Sequence, residues 1–187
     1  MVSYRLNVKI LYENIFMRNF DSENVIQAFE KSWIKQRPDL NPGSVSLDMR
    51  LQLAARKFFD TSNLALKDFD LEWWEYDVLS ALRRAGSPYE SPVNSLNDIL
   101  PLTSGALTNR INQLLARQLV TRRNDSKDRR RVLVRLSSTG KKLVDAAATA
   151  RFEAANNTAS ALNGNEQLQL NRLLDKLIAD EIALSDN

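Results

Sequence analysis

The chain has 187 residues, 43% of them hydrophobic and 26% charged, with a net charge of +3 and neither cysteine nor histidine. That balance suits a globular protein and excludes disulfides, thiolate nucleophiles, Cys- or His-ligated metal sites and histidine base catalysis. The five glycines stand singly, so no glycine-rich phosphate cradle exists and no cofactor is expected; no carboxylate or lysine pair stands out as catalytic machinery, so an enzyme is not expected either.

In chain order, the first twenty residues read two ways. Val2, Tyr4, Leu6, Val8, Ile10 and Tyr12 alternate like a strand, whereas Leu6, Ile10, Phe16, Met17 and Phe20 would lie along a helix. Met17 offers an alternative start. No continuous apolar run marks a secretory signal or a membrane span, so a cytoplasmic protein is expected. Ser22 opens a helix carrying Val25, Ile26, Phe29, Trp33 and Ile34, stopped by Pro38. A second helix is predicted from Ser46 to Lys67, with a stripe of Leu47, Leu51, Ala54, Ala55, Phe58 and Phe59. Asp70 is expected to cap a third, Leu71 to Ala85, with Trp74, Val78, Leu79 and Leu82 inward and Trp73-Trp74 used for packing.

Ser91-Pro92 then begins a short helix to Leu100, and Thr103-Ser104 cap another that runs to Arg117. Leu119–Arg123 and Arg131–Leu136 read as strands, joined by a polar tip, Asn124 to Arg130. Ser137 caps an Ala-rich helix to Leu162, and Asn163-Gly164 breaks it. The last helix has a stripe of Leu170, Leu173, Leu174, Leu177, Ile178 and Ile182. There is no internal repeat.

The charge is concentrated. Arg117 to Lys142 holds ten basic residues against Asp125 and Asp128, so the window carries +8 in a chain of net +3. Such a stripe points to a polyanion. Beside it, the Thr103–Arg117 helix puts Leu107, Ile111, Leu114 and Leu115 in one arc about 80° wide. Gly105, Asn109, Asn112, Gln113 and Ala116 fall opposite, a small, amide-bearing face with no carboxylate. Asn and Gln bond adenine edges, Ser and Thr bond phosphates, and Arg on a rigid arm suits a narrow minor groove. Two helices followed by a basic hairpin are the layout of a winged helix-turn-helix. The fold class expected is therefore mainly α with a small β-hairpin wing (α+β). Residues 1–45 form an extension with an extra helix, 46–70 and 146–187 a helical dimerisation region, and 71–145 the DNA-binding module.

Leu102-Thr103-Ser104-Gly105-Ala106-Leu107-Thr108-Asn109-Arg110-Ile111, Leu119-Val120-Thr121-Arg122-Arg123, Asp125-x-x-Asp128-Arg129-Arg130 and Val132-x-Val134-x-Leu136-Ser137-x-x-Gly140 together resemble the MarR family of bacterial transcriptional regulators. The resemblance covers Ser46 to Ile182. It implies a homodimer on a pseudo-palindromic double-stranded DNA operator. Thr103, Ser104, Gly105, Thr108, Asn109, Asn112 and Gln113 would face the major groove, and Arg123, Lys127, Arg129, Arg130 and Arg131 would serve the wing, with Asp128 holding Arg130. Two departures stand out. Gln118 replaces the family's Gly, so the helix end is expected to be capped otherwise, and Ser137 replaces its Leu-Thr.

Trp33, Asp77 and Arg110 resemble the ligand pocket of the urate-responsive, PecS-like branch, with Arg122 a further basic member. The implied partner is a small anionic aromatic ligand, such as urate, that releases a repressor from DNA. Arg110 lies about 85° from the centre of the apolar arc. It flanks the core and is expected to pair with Asp77 until an anion competes for it. The alternative reading is a winged-helix adaptor that meets an acidic protein without ligand response.

Overall fold

The computed structural model describes residues 22–100, 102–126, 128 and 131–181. The two readings of the first twenty residues, the wing residues Lys127, Arg129 and Arg130, and Ile182 lie outside them. Contacts divide the chain into two units, 1–59 and 60–187.

In the first unit, helix α1 (Ser22–Gln36) is followed by α2 (Gly43–Lys67), which continues past Phe59. Helix α2 begins ahead of the expected Ser46. The Asn41 side chain accepts the Gly43 N–H at 2.9 Å, and the Ser46 hydroxyl turns back to the Pro42 carbonyl at 2.9 Å. The Asn41 bond satisfies one of the N–H groups that a helix start leaves open. Ile26, Ser46 and Met49 are buried. The expected stripe is not: Ala54, Ala55 and the large side chains of Leu47, Phe58 and Phe59 are exposed. The face turned inward is the Ser46–Met49 side, and small Ser46 permits close packing there.

The second unit holds the end of α2, then α3 (Trp73–Arg84), strand β1 (Glu90–Pro92), α4 (Val93–Ile99), α5 (Ser104–Ala116), β2 (Val120–Asn124), β3 (Val132–Leu136), α6 (Ser138–Ala159) and α7 (Gly164–Glu181). Asp70 does not cap α3. It takes a left-handed φ of 51° in the preceding turn, and Glu72 caps instead, its N–H held by the Glu75 side chain at 3.0 Å. Glu72 and Glu75 stand three apart, the spacing at which a helix start can be satisfied by its own side chains. Val78, Leu79 and Leu82 are fully buried as expected, while Trp73 and Trp74 pack at the edge of the core.

Strand β1 corrects the reading of Ser91-Pro92 as the start of a helix. The sheet is antiparallel in the order β1-β3-β2, with Ser91 opposite Val134 and Arg122 opposite Val134 from the other side. Pro92, which cannot donate to a ladder, ends an edge strand, where it is tolerated. Leu96, Leu107, Ile111, Leu114, Val134 and Val144 join the α3 residues in one core. Each fully buried aliphatic side chain contributes about 1.5–3 kcal/mol.

Thr103 caps α5 by accepting the Ala106 N–H, and Ser137 caps α6 by accepting the Gly140 N–H at 2.9 Å, both as expected. The end of α5 is not capped otherwise, as Gln118 had suggested. Gln118 itself takes the left-handed conformation, φ 57°, while its N–H bonds the Leu115 carbonyl and the Leu119 N–H bonds the Leu114 carbonyl. This is the usual glycine closure carried by glutamine, with a steric penalty that glycine avoids. Helix α6 ends before the expected Leu162. Asn163 then caps α7, its side chain accepting the N–H groups of Asn165 and Glu166.

Candidate nucleic-acid interface

Helix α5 and the wing strands are built from the same core. Leu107, Ile111 and Leu114 are buried and Leu115 is half-buried, which leaves Thr103, Ser104, Gly105, Thr108, Asn109, Asn112 and Gln113 exposed. The face read from the sequence is thus the outward face. Its chemistry is amide, hydroxyl and backbone, with no acid on the whole helix. The Thr108 hydroxyl bonds the Ser104 carbonyl at 2.9 Å, but Asn109, Asn112 and Gln113 have no side-chain bond among the described residues. They are available to base edges.

On the wing, β2 carries Arg122 and Arg123, and the turn after it is closed by the Asp125 N–H on the Arg131 carbonyl at 2.9 Å and the Arg131 N–H on the Asp128 carbonyl at 2.8 Å. Asp128 is exposed; Arg130, which it was expected to hold, lies outside the described residues with Lys127 and Arg129. Arg123, expected to serve the wing, is paired with a carboxylate. The Glu90 carboxylate grips its guanidinium with two bonds, 2.9 and 2.6 Å, and also faces Arg135 Nε at 3.2 Å. The Glu90 side chain is only 9% exposed, and its contact holds the Arg123 guanidinium above the ordinary arginine pKa. Register explains this: Glu90 stands opposite Arg135, and Arg123 stands two residues along on the neighbouring strand. Glu90 was not legible beforehand because the three residues of β1 are too few to show alternation.

Arg122 and Arg131 take no carboxylate among the described residues. They line a cavity of about 170 Å³ together with Pro92, Val93, Asn94 and Val132. Arg122, expected as a further basic member of the pocket with Asp77 and Arg110, lies on β2.

Asp77 and Arg110 sit on neighbouring helices but form no ion pair among the described residues. The Arg110 guanidinium lies over the Trp74 ring, 5.5 Å from its centroid. Trp74 stands one turn before Asp77 on α3, and the negative face of its ring attracts the cation. Trp73, likewise expected only to pack, supports Arg151 of α6 at 4.9 Å, and Tyr76 meets the same guanidinium at 5.3 Å. Burial pushes the Asp77 carboxyl above its ordinary 3.8, against the pull of the Arg151, Arg110 and Arg84 charges and a bond from Trp73. The site therefore joins one half-buried carboxyl, three cations and two indoles. Arg151 was not foreseen, because it sits 74 residues away on a helix read as Ala-rich support. Trp33 belongs to the first unit, on α1, where it is 39% exposed with its ring 6.3 Å from that of Phe29.

On α7, Leu168, Leu170, Leu173, Leu177 and Ile178 are all at least 40% exposed. No described helix is long and apolar enough to cross a membrane.

Residues 69–131 match the MarR family. The HTH-type transcriptional regulator PecS of Dickeya dadantii (strain 3937) is 25% identical over 154 residues, spanning 79% of this chain and 89% of PecS. A crystal structure of a mutant MarR from E. coli complexed with operator DNA superposes with a TM-score of 0.63 at 23% identity, covering 73% of this chain and 96% of that one. BpsR of Bordetella bronchiseptica, whose DNA binding is regulated by 6-hydroxynicotinic acid, superposes at 0.58 with 26% identity, over 68% of this chain and 89% of BpsR.

Proposed function

We propose, on the premise that residues 69–131 are a MarR-family domain, that the chain is a cytoplasmic, DNA-binding transcriptional regulator that reads a duplex as a homodimer. The observation that carries this is the outward face of α5: amides and hydroxyls with no carboxylate, set beside a wing whose charge is strongly positive. The E. coli MarR bound to its operator has the same fold. In this reading Asn109, Asn112 and Gln113 contact base edges in the major groove. Thr103, Ser104 and Thr108 contact phosphates, Gly105 lets the backbone approach, and Arg129, Arg130 and Lys127 enter or flank the minor groove. Arg122 and Arg131, with no carboxylate partner among the described residues, supply further cationic seats for the backbone, whereas Arg123 is shared with Glu90.

The finer part of the proposal is repression relieved by a small aromatic or purine anion such as urate. Asp77, Arg110 and the indoles of Trp73 and Trp74 offer stacking surfaces and cations in a half-buried setting. BpsR, which answers to an aromatic acid, supports the ligand class. Trp33 enters on the resemblance alone. Arg110 lies on the reading helix, so a ligand that draws its guanidinium off Trp74 would move that helix.

The test is selection of bound sequences from a random duplex pool, with and without urate, for the parent and for Arg110→Ala. A two-fold-symmetric sequence whose binding urate weakens in the parent but not in the variant is expected. Failure to enrich any sequence contradicts DNA reading; equal urate sensitivity in both contradicts the pocket.

A further inference from the structure

A side chain at the C-terminal end of α5 fastens it to the start of α3. Arg117, the residue that caps the helix, reaches across the fold to the start of α3. Its Nη1 lies 2.7 Å from both oxygens of Glu75, and its Nη2 donates to the Asp70 carbonyl at 2.7 Å and faces the Asp70 carboxylate at 3.1 Å. Glu75 is buried, its side chain 4% exposed, and it also receives the Glu72 N–H. Every part of this clasp has a structural commitment elsewhere. Glu75 closes the first turn of α3, and Asp70 holds a left-handed turn just after α2. Immediately after Arg117, Gln118 accepts the left-handed conformation that ends α5.

A planar guanidinium with several donors can meet both groups at once, and a lysine ammonium, which is a point charge, cannot reproduce that fork. A buried carboxylate without this partner would be strongly disfavoured. At its other end, among the described residues, Thr103 supplies a local cap, accepting the Ala106 N–H.

We infer that Arg117 is a positioning residue for DNA reading: by clasping Glu75 and Asp70 it sets the angle at which α5 presents Asn109, Asn112 and Gln113. This rests on the reading of α5 as the recognition helix. Base-edge bonds tolerate little displacement, whereas attraction to phosphates depends on charge more than on angle. Loosening the clasp thus lowers preference for the selected sequence while leaving binding to random duplex intact.

The experiment compares Arg117→Lys with the double variant Glu75→Gln/Arg117→Met, which removes both charges of the pair together and keeps the side-chain volumes close. Full-length proteins are titrated with the duplex selected above and with random duplex over a range of salt, and thermal unfolding is followed in parallel. The expected result is at least a tenfold fall in the ratio of selected to random affinity, in whichever variant retains the parent's melting temperature. Random-duplex affinity and its salt slope stay unchanged. A ratio within twofold of the parent in a variant that melts normally overturns the inference. So does a loss of affinity for both duplexes with a shallower salt slope, because Arg117 would then be a phosphate contact. A parent that prefers no duplex contradicts the DNA reading itself, which is a separate result.

Discussion

Asp77 is a carboxyl whose charge the fold opposes, since burial outweighs the three guanidiniums around it. Between its ordinary value of 3.8 and its raised folded value, the folded state holds a proton that the unfolded chain has released. Stability therefore falls as pH rises through that window and stays lower above it. Asp77→Asn removes the penalty. Its melting temperature should exceed the parent's at pH 7, with the gap closing below pH 3.8; a lower melting temperature at pH 7 would show that the arginines dominate. Asp77, Arg110 and Gly140 were legible in the sequence as residues of interest, but not by their contacts. A Cβ on Gly140 would meet the Leu119 carbonyl oxygen at 1.9 Å, a clash visible only once the start of α6 lies against the end of α5. The same holds for the Trp74–Arg110 stack: helical angles placed Arg110 beside the core, and only three-dimensional packing shows the indole taking the guanidinium that Asp77 was expected to hold.

At the scale of elements, periodicity served best where an element packs along its length. The buried arc of α5 and the caps Thr103 and Ser137 were all readable, because spacing and local hydrogen bonding determine them. Short or turn-bound features were not. Strand β1 is held by its register against β3, and Asp70 lost the cap to Glu72 because it closes the end of α2 in the left-handed conformation, with its N–H on the Lys67 carbonyl and the Leu71 N–H on the Leu66 carbonyl. The stripe assigned to α2 failed because an amphipathic pattern does not say which of two apolar sides is covered. The wing is the element on which DNA affinity should turn. Arg130→Ala is expected to weaken duplex binding by about 1–3 kcal/mol, measured by fluorescence anisotropy. Unchanged affinity would take the wing out of the mechanism.

At the scale of the whole molecule, the described chain leaves apolar surface that a monomer would not favour. Of the α7 stripe read from the sequence, Leu170, Leu173, Leu177 and Ile178 remain exposed and Leu174 is half-buried. A second copy related by a two-fold axis would cover them and place two reading helices about one helical turn of DNA apart. Leu173→Asp/Leu177→Asp should therefore sediment as a monomer and bind the selected duplex more weakly; a dimer of unchanged stability would move the interface elsewhere. DNA binding itself is tested most directly by the affinity of the parent protein for random duplex, measured between about 50 and 200 mM salt. The logarithm of the affinity should fall steeply and linearly with the logarithm of salt concentration, by about 0.9 for each phosphate neutralised. A flat dependence, or no duplex binding at all, would contradict the account.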